Sequence, residues 1–244
     1  MTNPIYAVGD IHGQLGQLDR VLALIDADGG AAAKTVFLGD YTDRGPDSRG
    51  VIDTLIAEQE AGRDWVFLRG NHDRMFDWFL EVPPRHDPYL LVDFHWLHDR
   101  IGGIQTLASY GVNAGPDQRL KDVHANALEA VPDSHVNFLR ALTLTHQTET
   151  LFFAHAGIRP GVALADQSEE DLVWIRQTFH DFTDPHPKLI VHGHTPVQSP
   201  THYGNRVNLD SAAGFGADLT VAVFEGDKVF TLTENGRRPL TPIR

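Results

Sequence analysis

The 244-residue sequence predicts an α/β fold with a helical insertion. Short apolar, β-branched runs alternate with segments of helical period, and this alternation lapses between about residues 73 and 148 before strand signals return. Five of the expected strands run directly into Asp, His or Asn set among glycines, which marks one edge of the sheet as the place where a ligand would bind.

Ile5 to Val8 is the first expected strand. Gln14 to Ala27 follows as a helix, because Leu15, Leu18, Val21, Leu22 and Ile25 share one stripe and Gly29-Gly30 ends it. Thr35 to Leu38 reads as a second strand, Ser48 to Glu60 as a second helix with Ser48 as N-cap after Pro46, and Trp65 to Leu68 as a third strand. The insertion contains helical stretches at Leu120 to Ala130 and Ser134 to Leu144, the latter after Pro132, with Pro83-Pro84 and Pro88 marking loops. Strands resume at Thr150 to Ala154, Leu189 to Val191, Arg206 to Leu209, Leu219 to Phe224 and Lys228 to Leu232, the last two joined as a hairpin across Glu225-Gly226-Asp227. Residues after Gly236, with Pro239 and Pro242, read as a surface extension. No repeat or linker divides the chain, so a single domain over residues 1–244 is expected, with the helical insertion at about 73–148.

Composition removes several function classes. There is no cysteine, so neither a disulfide framework nor a thiolate zinc site can form. With 33 acidic against 20 basic residues the formal charge is −13, which disfavours a general nucleic-acid binder because phosphate backbones are held mainly by Lys and Arg. The segment from Met1 to Asp10 lacks a basic n-region and no apolar run approaches a membrane span, so a cytoplasmic protein without membrane contact is expected. The 14 histidines form a large pool, and any metal would be held by nitrogen and oxygen.

The strand ends carry the chemistry. They are Gly9-Asp10-Ile11-His12-Gly13, Gly39-Asp40-Tyr41-Thr42-Asp43-Arg44-Gly45, Gly70-Asn71-His72-Asp73, His155-Ala156-Gly157 and His192-Gly193-His194-Thr195. Each alone reads as an ordinary turn or a satisfied polar residue. Jointly they bring Asp10, His12, Asp40, Asn71, His155 and His194 to one edge: three imidazoles, two carboxylates and one amide oxygen. That mixture suits Mn²⁺, Fe²⁺ or Zn²⁺, and six ligands exceed what one ion takes beside a water, so two bridged ions are expected.

These five blocks, with Pro196 closing the last, resemble in order and approximate spacing the signatures of the phosphoprotein phosphatase family of calcineurin-like metallophosphoesterases, over roughly residues 5 to 224. Gly102 to Gly111 and Leu172 to Arg176 resemble segments of its bacterial serine/threonine phosphatase branch. The resemblance implies a four-layer α/β/β/α metallophosphoesterase sandwich. It also implies Asp10 and His12 on one metal, Asn71, His155 and His194 on the other, and Asp40 between them. His72 becomes the general acid, oriented by Asp43, and Arg44 and Arg176 become phosphate-binding arginines. Three positions depart from the family pattern. Asp73 stands where Glu is usual, a change expected to have a small effect; His192 is expected to support the site from behind or lie at the surface; Asp210 is expected to orient a loop.

The implied function is a metal-dependent phosphomonoesterase, with manganese as the leading metal, hydrolysing phosphoserine and phosphothreonine in proteins by direct attack of a hydroxide bridging the two metals. Its partner would be a phosphoprotein or phosphopeptide. A symmetrical diadenosine tetraphosphate hydrolase shares the five blocks and is the alternative; a silent phosphoprotein-binding scaffold is a remote third. The sequence leaves the oligomeric state open. Trp174 and Tyr110 are assigned equally to the cleft or the core, and histidines outside the blocks are expected at the surface.

Overall fold

The structure is a computed structural model that describes residues 3–243, so the reading of Met1-Thr2 lies outside the described residues. Along the chain, β1 (Ile5–Val8), α1 (Leu15–Gly29), β2 (Lys34–Phe37), α2 (Ser48–Glu60) and β3 (Trp65–Phe67) repeat the expected alternation. Four helices follow: α3 (Asn71–Phe79), α4 (Gly103–Ser109), α5 (Leu120–Ala130) and α6 (Asp133–Ala141). The chain then runs through β4 (Thr145–Gln147), β5 (Leu151–Ala154), α7 (Glu169–Trp174), α8 (Gln177–His180) and β6 (Leu189–His192). It closes with β7 (Thr201–His202), β8 (Arg206–Asn208), β9 (Val221–Glu225), β10 (Lys228–Thr233) and β11 (Gly236–Pro239).

The strands form two sheets, ordered β11-β10-β9-β1-β2-β3 and β4-β5-β6-β8-β7. Strands β1, β2 and β3 run parallel, as do β5, β6 and β8, so the carboxyl ends of both parallel sets point toward one site. Side-chain alternation stacks the layers. In β1, Tyr6 and Val8 face a core shared with Val21 and Ile25 of α1 and Val51 and Leu55 of α2, while Ala7 faces the other way. That second face joins Val36 and Leu38 to Phe153, Val191 and Val207, an apolar seam between the two sheets. Phe152, Ala154 and Ile190 then cover the outer face of the second sheet under Leu172 of α7 and Phe179 of α8. The result is the expected α/β/β/α arrangement of two sheets flanked by helices.

Local chemistry corrects several expectations. Helix α2 is capped by Asp47, whose carboxylate accepts from Gly50 N at 2.7 Å; Ser48 is the first helical residue and turns its hydroxyl toward the Asp43 backbone instead. The helical region begins at Asn71, not Asp73, and eight of the nine α3 side chains are buried. The segment after Gly236 lies at the surface as expected but is ordered as an edge strand: it pairs antiparallel with β10, and Arg237 is clamped to Asp28 of α1 at 2.7 Å. His135 and His202 are buried against the surface expectation, His135 because its ring bridges the Tyr110 hydroxyl and Asp53, each at 2.8 Å. Among the described residues, no helix is long and apolar enough to cross a membrane.

Candidate dimetal site

Tight turns aim the site residues. His12, Asp40, Asp43, Arg44 and His194 all adopt φ between +49° and +73°, a left-handed region that non-glycine residues seldom occupy. Glycines let the carboxylates press against backbone: a Cβ on Gly193 would lie 1.9 Å from Asp10 Oδ1, and one on Gly70 would lie 2.1 Å from Asp40 Oδ1.

The strand ends converge as two groups of side chains that share Asp40. Ligand atoms of His12, Asp40 and His72 lie within 4.8 Å of one another, and so do those of Asp40, His155 and His194. Asp40 Oδ2 is 3.5 Å from His12 Nε2, and Asp40 Oδ1 is 3.4 Å from His155 Nε2. Asn71 Oδ1 lies 2.8 Å from His194 Nδ1 and 3.0 Å from His155 Nε2. Asp10 joins them through Oδ2, which accepts from His194 N at 2.9 Å.

This arrangement fits cations. His155 Nδ1–H donates to the Leu38 carbonyl, which leaves Nε2 as an acceptor facing two other acceptors, Asn71 Oδ1 and Asp40 Oδ1. With no proton among the three atoms, a positive ion relieves their mutual repulsion. His12 Nδ1–H donates in the same way to the Thr42 carbonyl and turns Nε2 inward. Asp10 Oδ1 and His194 Nε2 are buried without hydrogen-bond partners. Burial, then the Asp210 and Asp40 carboxylates, push the Asp10 carboxyl well above its usual range, so it ionises readily only beside a cation. Burial also raises Asp40, whereas charge on the surrounding His155, His72, His12 and His194 rings would lower it, and the net direction is downward. Burial holds His12, His155 and His194 below the usual imidazole range, in the neutral form that binds metal. The donors are the imidazole, carboxylate and amide set that accepts two borderline divalent ions.

Beside these candidate ligands lies a buried His72–Asp43 pair. His72 Nδ1–H donates to Asp43 Oδ2 at 2.6 Å, leaving Nε2 at 3.1 Å from Arg44 Nη2 and 4.0 Å from Asp40 Oδ2. Asp43 is fully buried, and three further contacts fix it: Trp96 Nε1–H at 2.9 Å, the Thr106 hydroxyl at 2.7 Å, and its own backbone N–H on Thr106 Oγ1 at 2.8 Å. Trp96 and Thr106 escaped the sequence reading. Thr106 lies inside the Gly102 to Gly111 stretch, where the signal was present; Trp96 lies in a loop with no periodicity to flag it.

Arg44 also touches the His12 ring, and Arg176 reaches toward the site, with Nη1 3.4 Å from the Thr195 hydroxyl. Asp73 receives three backbone N–H groups, from Asp40 at 2.7 Å and from Tyr41 and Gly70 at 2.9 Å, and so pins two of the ligand loops together. Burial, then the Asp40 charge, raise its carboxyl to about 8. Asp210 is buried and accepts from Ala212 N at 3.0 Å, and burial raises its carboxyl to about 6. His192 turns away from the ligands to pack edge-on against Phe179. Trp174 lies edge-on to His194 with centroids 5.7 Å apart, whereas Tyr110 belongs to the core.

Known proteins resemble this chain at several levels. The asymmetrical bis(5'-nucleosyl)-tetraphosphatase PrpE of Anoxybacillus flavithermus is 28% identical over 246 aligned positions, covering 87% of each chain. A Caenorhabditis elegans protein assigned to the serine/threonine-protein phosphatases is 33% identical over 104 residues, or 40% of this chain and 28% of its own length. A solved structure assigned as a diadenosine tetraphosphatase superposes with a TM-score of 0.64 at 21% identity, covering 99% of this chain and 95% of that one. The calcineurin-like phosphoesterase family model matches residues 3–223, nearly the whole α/β/β/α body and every strand-end block described above, and the chain belongs to that family.

Proposed function

We propose that this phosphoesterase hydrolyses the phosphoanhydride chain of dinucleoside polyphosphates. The observation that carries the choice is extent: similarity to the nucleosyl-tetraphosphatase runs over 87% of both chains, whereas similarity to the protein phosphatase stops at 40% of this one. That relative's asymmetrical cleavage shifts the expectation from two diphosphates to a mononucleotide and a triphosphate.

The residues divide the work. Asp10, His12, Asp40, Asn71, His155 and His194 would hold two divalent cations, which when bound would supply Lewis acidity and neutralise phosphoryl charge. Arg44 and Arg176 grip phosphate oxygens by their guanidinium forks. His72, held by Asp43, delivers a proton to the departing oxygen from Nε2. A polyphosphate leaving group is already a stable anion, so this proton matters less for anhydrides than for alkyl esters.

A second reading is hydrolysis of phosphoserine and phosphothreonine in proteins. It is favoured by the Gly102 to Gly111 stretch, which lies so close to Arg44 that a Cβ on Gly102 would meet Arg44 N at 2.3 Å. A panel run with Mn²⁺ separates the two: diadenosine tetraphosphate, phosphoserine and phosphotyrosine peptides and a phosphodiester, compared by kcat/KM with products identified. The first reading expects diadenosine tetraphosphate to lead and to give AMP and ATP. A lead by the phosphoserine peptide would replace it with the second.

A further inference from the structure

Two aromatic groups bracket the site: Phe215, outside every block, and Tyr89 with the half-buried Trp174 of the Leu172–Arg176 segment. At the end holding His12, the Arg44 guanidinium lies 4.7 Å from the centroid of Phe215, whose ring is 67% exposed. The turn carrying Phe215 is seated against the ligand shell, since a Cβ on Gly214 would meet the His12 ring at 2.6 Å. At the opposite end, Trp174 stands edge-on to His194, and Tyr89 stacks on Trp174 with centroids 6.3 Å apart and planes 18° from parallel. Tyr89 is 53% exposed. Its position is fixed through Asp87, which accepts from Tyr89 N at 3.0 Å, from Trp174 Nε1 at 3.2 Å and from Arg74 Nε of α3 at 3.0 Å.

We infer that Phe215 and the Tyr89–Trp174 pair form an aromatic clamp that stacks planar rings carried at the two ends of a polyphosphate. The inference rests on the dinucleoside polyphosphate reading and assigns it specificity residues. An exposed ring costs solvation unless something covers it, and a ring already backed by a guanidinium or an indole presents its other face to a base. The phosphate chain would lie across the shared Asp40 while each platform receives one base. Stacking tolerates any base, so the clamp selects ring-bearing phosphates over serine phosphates without selecting among nucleotides.

Equilibrium binding tests the clamp separately from turnover. The probes are α,β-methylene-ADP and methylenediphosphonate, which resist hydrolysis and differ by the adenosine, titrated calorimetrically into the Mn²⁺-loaded full chain. We expect the nucleotide to bind at least about tenfold more tightly than the diphosphonate. The advantage should shrink about fivefold or more in Phe215→Leu or Tyr89→Leu and return in Phe215→Trp and Tyr89→Trp. Both side chains are exposed, so these variants should fold. Equal affinity for the two probes, or an advantage unchanged in both Leu variants, would overturn the clamp. Absence of diadenosine tetraphosphate turnover with the binding advantage intact would overturn the substrate reading alone.

Discussion

His72 shows how much of the site depends on neighbours that touch no substrate. Its Nδ1 is committed to Asp43, and Asp43 is held in turn by Trp96 and Thr106. His72→Asn should therefore slow hydrolysis of alkyl phosphates about 10²- to 10⁴-fold and that of p-nitrophenyl phosphate far less, because nitrophenolate leaves without a proton. Equal losses on the two esters would remove His72 from the acid role. Thr106→Val deletes one hydrogen bond to a buried carboxylate and should lower kcat about ten- to a hundredfold, with metal content unchanged. Gly193→Ala makes a different kind of test: the new Cβ falls 1.9 Å from Asp10 Oδ1, so Asp10 must move. Metal content and melting temperature should both fall, as metal analysis and calorimetry would show.

Elements were legible in the sequence where one physical rule governed them. The stripe Leu18, Val21 and Ile25 marks α1 because that helix buries one side only. Helix α3 spans only nine residues and its first turn is the Asn71-His72-Asp73 block itself, so the strand-end motif masked where the helix begins, although Met75, Phe76 and Phe79 share its core face. Strand β11 was lost for a different reason: it is an exposed edge strand rich in Arg and Pro, and what recruits it is the distant ion pair of Arg237 with Asp28. The candidate ligands stood out because they follow strands in glycine-marked turns, while Trp96, Phe215 and Tyr89 sit in irregular segments or short turns whose placement only tertiary packing decides. The Tyr6–Asp28–Arg237 cluster gives this edge a pH signature. Tyr6 donates to Asp28 at 2.6 Å, and burial, then Asp28, raise its phenol to about 12, above the ordinary value near 10. A raised folded pKa contributes stability in full below pH 10 and loses it as pH rises through about 12. Melting temperature should drop across that window, and the drop should be smaller in Tyr6→Phe.

The whole molecule is two sheets packed face to face so that their parallel strands end around one centre. The seam holding them includes Phe153, fully buried, and Phe153→Ala should cost about 3–5 kcal/mol by denaturant unfolding. A protein of net charge −13 gathers Asp10, Asp40, Asp73 and Asp210 at the same point, where bound divalent cations would offset their repulsion. The central claim is that Asp40 serves two metal ions at once, and metal stoichiometry of purified, Mn²⁺-loaded protein measures it most directly. Wild-type protein should hold two ions per chain, and Asp40→Asn should lose metal together with nearly all turnover. An Asp40→Asn variant that keeps both ions and full activity would contradict the account.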